Sequence, residues 1–102
     1  MIDITVKREP GRFFVTIDRH DSYLVYKLID SVLDIVEIQV HRTQQGKGVA
    51  TQLCLAAVAF CRTHGYKIHA SCDFAKNKFI PEHPEVSDLV VPEDVFYKAR
   101  KK

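Results

Sequence analysis

The sequence predicts an α+β fold: a single-layer, mostly antiparallel sheet of about five strands, with a central crossover helix and a short C-terminal helix. Apolar and polar residues alternate through most of the first forty residues, which is the pattern of half-buried strands. From Gly48 onward the apolar residues instead follow helical spacing. A length of 102 residues fits one domain, so we assign residues 1–102 to a single domain.

The N-terminal part predicts three strands joined by short turns. The first strand, IDITVKR, ends before the turn pair Pro10-Gly11. The second strand has Phe13, Val15 and Ile17 on one face. The third strand, YLVYKLI, lies between the segments HDS and DSVLD, which we interpret as turns. Short connections between successive strands favour an antiparallel meander.

The segment IVEIQVH predicts a fourth strand of the meander. Simple alternation directs Val36, Ile38 and Val40 to one face. The same alternation directs Glu37 and Gln39 to the opposite face. A carboxylate and an amide therefore lie side by side on this strand.

A packed helix and a fifth strand are expected next. The helical spacing runs from Gly48 to His64, and Gly65 is a typical left-handed residue after a helix. The segment YKIHAS then predicts a strand parallel to the fourth, because the helix forms a crossover. FAKNKFI predicts the short helix, whereas residues 81–95 contain too many prolines for a long one.

Composition excludes several classes of protein. The hydrophobic content of 46% and the charged content of 27% are ordinary for a globular protein. A net charge of +2 does not favour nucleic acid as a partner, and no apolar run is long enough to span a membrane. The three cysteines, Cys54, Cys61 and Cys72, form no C-x-x-C pair, so we expect no metal site and a cytoplasmic protein.

A glycine-rich turn, QQGKGVATQL, connects the fourth strand to the helix. Such a turn at a helix start binds anions, because the first N–H groups of a helix have no internal partner. The segment does not match a P-loop, since no Ser or Thr follows Lys47 directly. It does not match a dinucleotide fingerprint either, since Thr51 occupies the third glycine position. A purely structural turn remains the alternative.

The stretch Gln45 to Ala50 resembles the Q/R-x-x-G-x-G/A motif of the GNAT superfamily of N-acetyltransferases. The resemblance extends over most of the chain to a small subfamily of about a hundred residues that lacks the usual N-terminal helices. Its further elements are a helix ending in H-G, a strand, a C-x-F segment and a later H-P-E. The matching residues here are His64-Gly65, Cys72, Phe74, and His83-Pro84-Glu85.

The resemblance implies acetyl-coenzyme A (acetyl-CoA) as the cofactor. In the family the glycine turn and the helix start hold the pyrophosphate, and groups around Ile38 to His41 would pair with the pantetheine arm. The residues that the resemblance assigns to cofactor binding are Ile38, Val40, Gln45, Gly46, Lys47, Gly48, Val49, Ala50 and Thr51.

Three residues are candidates for catalysis. Many family members have a glutamate where this chain has Gln39, and a neutral amide cannot act as a general base. Glu37, on the same strand face, is the replacement that we consider, acting through a water. Cys72 is either a transient acyl acceptor or a small buried residue at a strand end.

The expected function is therefore transfer of an acetyl group to an amine of a small molecule or a protein, by a monomer or a homodimer. Two alternatives remain open. One is a module that binds an acyl-CoA without turnover, which the neutral Gln39 favours. The other is a protein-interaction domain in which the glycine turn is only structural.

Overall fold

The computed structural model describes residues 5–92 and residue 96. Its sheet has five strands in the order β1-β2-β3-β4-β5, so strands that follow each other in sequence are neighbours. The first four strands pair antiparallel, and β5 pairs parallel to β4. This architecture confirms the predicted fold class. The strands are Lys7–Glu9 (β1), Arg12–Ile17 (β2), His20–Ile29 (β3), Val32–Gln39 (β4) and Lys67–Ala70 (β5).

The first predicted strand falls partly outside the described residues, since Ile2 and Ile4 precede residue 5. In the described part, β1 is short and exposed. The predicted turn at Pro10-Gly11 lies between β1 and β2, and Gly11 has a left-handed φ of 85°. Glycine adopts this conformation at little cost, which explains why the chain turns here.

The β2–β3 turn differs from the prediction, whereas the β3–β4 turn falls at the start of the predicted turn segment DSVLD. The β2–β3 turn is formed by Asp18 and Arg19, and the β3–β4 turn by Asp30 and Ser31. All four residues have positive φ, as two-residue hairpin turns require. The segment HDS, predicted as a turn, instead belongs to β3, because His20 already pairs with Ile17. Without a glycine at Asp18-Arg19, the sequence pattern did not mark this turn. In DSVLD the turn is limited to Asp30 and Ser31, because β4 begins at Val32.

Strand β4 contains a bulge that the simple alternation did not predict. Glu37 pairs with Val25 and Ile35 pairs with Tyr26, so Val36 is an extra residue between the two pairs. The bulge brings Ile35 and Ile38 to the same face, with the buried residues Tyr26 and Leu24 as their respective partners. Ile38 and Val40 both pack against the core, as their predicted common face requires, whereas Val36 occupies the bulge. Glu37 and Gln39 do share a face, as predicted, and both are exposed.

The crossover helix α1 spans Val49–His64 and packs on the sheet. It begins and ends close to the predicted residues. Gly65 follows it with a left-handed φ of 72°, and the N–H groups of Gly65 and Tyr66 both donate to the Cys61 carbonyl. Its buried residues are Val49, Leu53, Cys54, Ala57, Val58 and Cys61.

The chain after β5 forms short helical pieces, as the prolines predict. A π-helical turn at Ala75–Phe79 continues into α2, Ile80–Glu82, and a 3₁₀ helix spans Pro84–Leu89. The guanidinium of Arg62 at the end of α1 donates to both carboxylate oxygens of Asp88, at 3.1 and 3.2 Å. This pair joins the last 3₁₀ helix to the crossover helix and fixes the position of the C-terminal part.

Candidate functional site

The two parallel strands diverge halfway along β4. Their pairing ends at Ile35 and Ala70, and the N–H groups of Ser71 and Cys72 then both donate to the Ile35 carbonyl. Strand β4 continues to Gln39. In the described part of the chain, the edge of β4 beyond Ile35 therefore has no strand partner on its β5 side. This edge offers backbone donors and acceptors to an extended ligand.

The glycine turn lies next to this edge, after a short 3₁₀ turn at Arg42–Gln44. Gly46 and Gly48 have left-handed φ values of 78° and 76°, which a residue with a side chain adopts at a cost. A Cβ atom at either glycine would meet no heavy atom within 4 Å. The space over both glycines is thus open, so their backbone can be approached closely by a ligand.

The start of α1 faces the same space with free donors. No side chain caps this end, and the first intrahelical bond runs from the Gln52 N–H to the Gly48 carbonyl. The N–H groups of Val49, Ala50 and Thr51 therefore have no partner within the helix. With the helix dipole added, this end attracts an anion such as a phosphate.

A cavity of about 250 Å³ connects these features. All the residues predicted to bind the cofactor except Ile38 and Lys47 line it, so most of the predicted set surrounds one cavity. Three lining residues were not predicted. The complete lining consists of Val40, Gln44, Gln45, Gly46, Gly48, Val49, Ala50, Thr51, Phe74 and Lys78.

The unpredicted residues come from two places. Phe74 directly precedes the π-helical turn, and Lys78 lies within it. Both residues line the cavity although they are distant in sequence from the glycine turn. Lys78 is exposed, and its Nζ lies 6.0 Å from the centroid of the Phe74 ring. Their four-residue spacing in the predicted helix FAKNKFI was the available signal that they share a face. Gln44, directly before the predicted set, is buried, and nothing in the pattern distinguished it from a solvated turn residue.

None of the three candidate catalytic residues lines the cavity. Glu37 and Gln39 lie on the exposed face of β4, on the side opposite Ile35 and Ile38. Cys72 is half-buried where the strands diverge and packs against the hydrophobic core. The thiol of Cys54, on α1, has its pKa raised to about 12, first by burial and then by the neighbouring Cys72. Cys54 is therefore an inert thiol at neutral pH.

His41, at the end of the β4 edge, is committed to internal contacts. Its N–H donates to Ser22 Oγ at 2.9 Å, so the expectation that backbone donors as far as His41 would pair with a pantetheine arm is wrong for this N–H group. Its Nδ1 accepts from the Thr43 N–H, and its ring stacks on His20 with centroids 3.9 Å apart. Burial first, and then the charges of His20 and Arg42, lower the pKa of His41 below 6.5.

Two further histidines, His69 and His83, make contacts within the fold. His69 is buried, and its Nδ1 lies 2.9 Å from an Asp34 carboxylate oxygen. The His83 Nδ1 donates to the Phe79 carbonyl at 2.9 Å, and the two rings stack. Neither histidine lines the cavity at the glycine turn.

The described residues contain neither a metal-binding cluster nor a membrane-spanning helix. Within residues 5–92 and 96, no group of three or more His, Cys, Asp or Glu side chains is arranged to hold a metal ion. Among the helices of that same part of the chain, none combines the length and the apolar character needed to cross a bilayer. The three cysteines are free thiols.

A mixed sheet whose parallel strands part beside a glycine turn and an uncapped helix start has a geometry suited to an extended, phosphate-bearing ligand. Comparison with known families identifies the class of protein. Residues 12–89 match the family model of the GCN5-related N-acetyl-transferases, so the chain belongs to this family.

A solved structure supports the same assignment. The protein is similar to a GCN5-like protein from Staphylococcus aureus whose solution structure was determined by NMR. The two chains are 26% identical, the match covers 89% of this chain and 91% of the other, and the TM-score is 0.70. The truncated fold inferred from the sequence is thus shared by a relative of similar length.

Proposed function

We propose that this protein is an acetyl-CoA-dependent N-acetyltransferase that transfers an acetyl group to an amine. The observation that carries the proposal is the cavity at the start of α1, where uncapped N–H groups and two open left-handed glycines lie next to the unpaired edge of β4. This arrangement suits a ligand that has a pyrophosphate followed by a chain of amide groups.

The residues present fit coenzyme A (CoA) in three respects. The N–H groups from Gln45 to Thr51 would hold the pyrophosphate, because the space over Gly46 and Gly48 admits it. The free edge of β4 near Ile38 and Val40 would pair with the pantetheine arm as an added strand does. Lys78, on the opposite side of the cavity, adds a positive charge, while Lys47 is exposed and outside the lining.

The chain's own residues then have distinct roles in the reaction. When bound, acetyl-CoA would supply an acetyl group as a thioester: the amine nitrogen would bond to the carbonyl carbon, the C–S bond would break, and CoA would leave as the thiol. We assign to Glu37 the removal of the amine's proton through a water, since its carboxylate is exposed on β4 and Gln39 beside it cannot accept a proton. Cys72 is assigned to packing beside the site, and the acetyl group passes directly to the amine.

The charge of Glu37 also indicates the chemical class of the acceptor. Glu37 would favour a cationic amine, which loses a proton before attack. An acceptor site formed by an exposed sheet face is compatible with a small amine, a protein side chain or an N-terminus, and a second copy of the chain could complete it. Three free cysteines are compatible with the cytoplasm, which we propose as the compartment.

Thermal unfolding with and without acetyl-CoA tests the cofactor assignment, with NAD and ATP as comparisons. A ligand present at a hundred times its dissociation constant stabilises the folded state by about 2.7 kcal/mol. For a domain of this size, that raises the Tm by on the order of ten degrees. A selective shift with acetyl-CoA supports the proposal. The absence of a shift at saturating concentrations of all three ligands contradicts it and favours the interaction domain.

Substitution of Gly48 tests the position of the phosphates. Gly48→Asp introduces a carboxylate into the open space over the turn, and we expect it to abolish CoA binding. Gly48→Asn has nearly the same shape without the charge, so the difference between the two variants measures the electrostatic part. Gly65→Asn is the matched control: Gly65 has a similar φ of 72°, open space around it, and lies at the other end of α1. The control variant should lower the stability of the fold without changing its affinity for CoA.

The second candidate function is binding of an acyl-CoA without turnover. The neutral Gln39, exposed where family members often have a carboxylate, is the observation that favours it. Tight binding of acetyl-CoA with no product from a broad panel of amines would select this function over the first.

A further inference from the structure

One polar side chain at the cavity is not explained by the packing of the protein itself. Gln44, at the end of the 3₁₀ turn before the glycines, is only 1% exposed. It is the largest polar side chain among the fully buried residues, yet it also contributes to the cavity lining. Glutamine is mostly found at protein surfaces, so its burial here calls for hydrogen-bond partners.

The nitrogen end of the Gln44 amide has such partners. Nε2 donates to Thr43 Oγ1 at 3.1 Å and to the Ile17 carbonyl at 3.5 Å. A carbonyl oxygen only accepts, so the amide nitrogen must face Ile17. Thr43 Oγ1 lies 2.8 Å from His41 Nδ1, to which its hydroxyl donates, and this leaves the Thr43 oxygen as the acceptor for Gln44. These contacts fix which end of the amide is the oxygen.

The oxygen end of the amide has no such partner. Gln44 Oε1 is buried and, among the residues that the structure describes, makes no hydrogen bond. A buried acceptor without a donor costs the free energy of its desolvation, and leucine would fill the same space without that cost. A polar group retained at such a site, beside a cavity, is typical of one whose partner is a ligand.

We propose that Gln44 Oε1 accepts a hydrogen bond from the pantetheine arm of CoA and thereby selects for the complete cofactor. The inference rests on the proposed function. Phosphate oxygens have few protons to donate at neutral pH, whereas the arm has two amide N–H groups and a hydroxyl. Gln44 also lies in the chain between Val40, at the β4 edge, and the glycine turn, which is where the arm would meet the pyrophosphate.

The test compares two ligands by isothermal titration calorimetry. CoA has the arm, and 3′-phosphoadenosine 5′-diphosphate retains all the phosphates without it. For Gln44→Leu we expect CoA to bind roughly tenfold more weakly, the loss of about one hydrogen bond. The affinity for the phosphoadenosine ligand should stay within about twofold of the wild-type value, since its contacts are untouched. Without ligand, the variant should unfold close to the wild-type temperature, because removal of the orphan acceptor offsets the loss of the two Nε2 hydrogen bonds.

Controls separate the inference from other roles of Gln44. Gln52→Leu makes the same change on α1 at an exposed position outside the lining, and should alter neither affinity. Gln44→Met, of similar length, replaces the leucine variant if that protein does not fold. An equal loss of affinity for both ligands would mean that Gln44 only shapes the phosphate turn, and an unchanged CoA affinity would mean a packing role. Either result overturns the inference, while failure of the wild type to bind CoA overturns the proposed function as well.

Discussion

At the scale of single residues, Glu37 is the proposed general base of the reaction. It is the exposed carboxylate on β4, beside the amide of Gln39. We expect Glu37→Gln to lower kcat by a factor of about 10² to 10⁴, the usual contribution of a general base. The dissociation constant for acetyl-CoA should not change, since Glu37 lies outside the cavity lining. Steady-state kinetics with a responsive amine, and calorimetry for the cofactor, measure both quantities.

The complementary change is Gln39→Glu, which puts a carboxylate where the resemblance expects one. If Glu37 works through a water from the neighbouring position, the double variant with Glu37→Gln and Gln39→Glu should recover part of the lost rate. Unchanged turnover in Glu37→Gln alone would remove Glu37 from the mechanism.

Cys72 distinguishes direct transfer from a covalent route. It packs against the core at the point where β4 and β5 diverge, which is a structural position. We expect Cys72→Ala to keep turnover within about tenfold of the wild type, because direct transfer needs no thiol nucleophile on the protein. Mass spectrometry of the wild type after exposure to acetyl-CoA should show no acetyl group on this residue. An acetylated Cys72 that disappears on addition of the amine would establish the covalent route instead.

His41 makes the stability of the turn depend on pH. Its folded-state pKa is lowered below 6.5, chiefly by burial, so the folded protein resists its protonation. A lowered folded pKa gives a stabilising contribution that is complete above about pH 6.5 and is lost as the pH falls below it. His41 Nδ1 accepts from Thr43, and a proton on that nitrogen would oppose this bond.

The expected result is a Tm that falls in the wild type as the pH drops below about 6.5, and a shallower fall in His41→Asn. Asparagine retains a side-chain acceptor for the Thr43 N–H and does not titrate. His20 and Arg42 are the other charged groups that act on His41, so His20→Asn should reduce the slope in part. Parallel Tm curves for the wild type and His41→Asn over this range would contradict the assignment.

At the scale of elements, the β2–β3 hairpin turn is strained and can be improved. Arg19 has a left-handed φ of 69°, in the second position of a two-residue turn that begins with Asp18. Such turns favour Asp-Gly, because a side chain in the left-handed region costs about 1–2 kcal/mol. We expect Arg19→Gly to stabilise the protein by about 0.5–1 kcal/mol, since glycine's greater freedom in the unfolded chain offsets part of the gain.

Thermal or urea unfolding measures this change, with Lys27→Gly as the control. Lys27 is exposed within β3 and has no positive φ, so glycine there should destabilise the strand. Equal destabilisation by both substitutions would show that the turn at Arg19 carries no strain.

The elements themselves could mostly be predicted, and the exceptions have physical causes. The spacing of apolar residues located α1, because burial of one face of a helix requires that spacing. The bulge at Val36 could not be found, because Ile35 and Val36 are both apolar and the sequence alternates regularly from Val36 to Gln39. The turn at Asp18-Arg19 was misplaced because long-range pairing, and not a local glycine, holds it, whereas the turn at Asp30-Ser31 lies within the segment predicted as a turn.

At the scale of the whole molecule, the site divides into a local and a distant part. The glycine turn and the start of α1 are contiguous in sequence, so a short motif was sufficient to locate them. Phe74 and Lys78 reach the cavity only because β5 runs parallel to β4 and returns the chain to the same end of the sheet. Gln44 is polar and buried, and its burial depends on contacts with β2, which no local pattern reveals.

This assembly from distant segments predicts how the cofactor alters the dynamics of the fold. The cavity joins the end of β4, the glycine turn, α1 and the π-helical turn at Ala75–Phe79. If CoA contacts Phe74 and Lys78, local opening of the π-helical turn requires the ligand to leave first. With CoA at a hundred times its dissociation constant, the hydrogen-exchange rate of amides that exchange through this opening should fall by about a hundredfold.

Hydrogen–deuterium exchange with CoA present and absent measures this protection. We expect it at Ala75–Phe79 and at the first turn of α1, because both border the cavity. The β2–β3 turn at Asp18-Arg19 is the internal reference and should exchange equally fast in both states, since neither residue lines the cavity. Protection confined to the glycine turn would mean that the phosphates alone are held, and that the segment after β5 does not take part in cofactor binding.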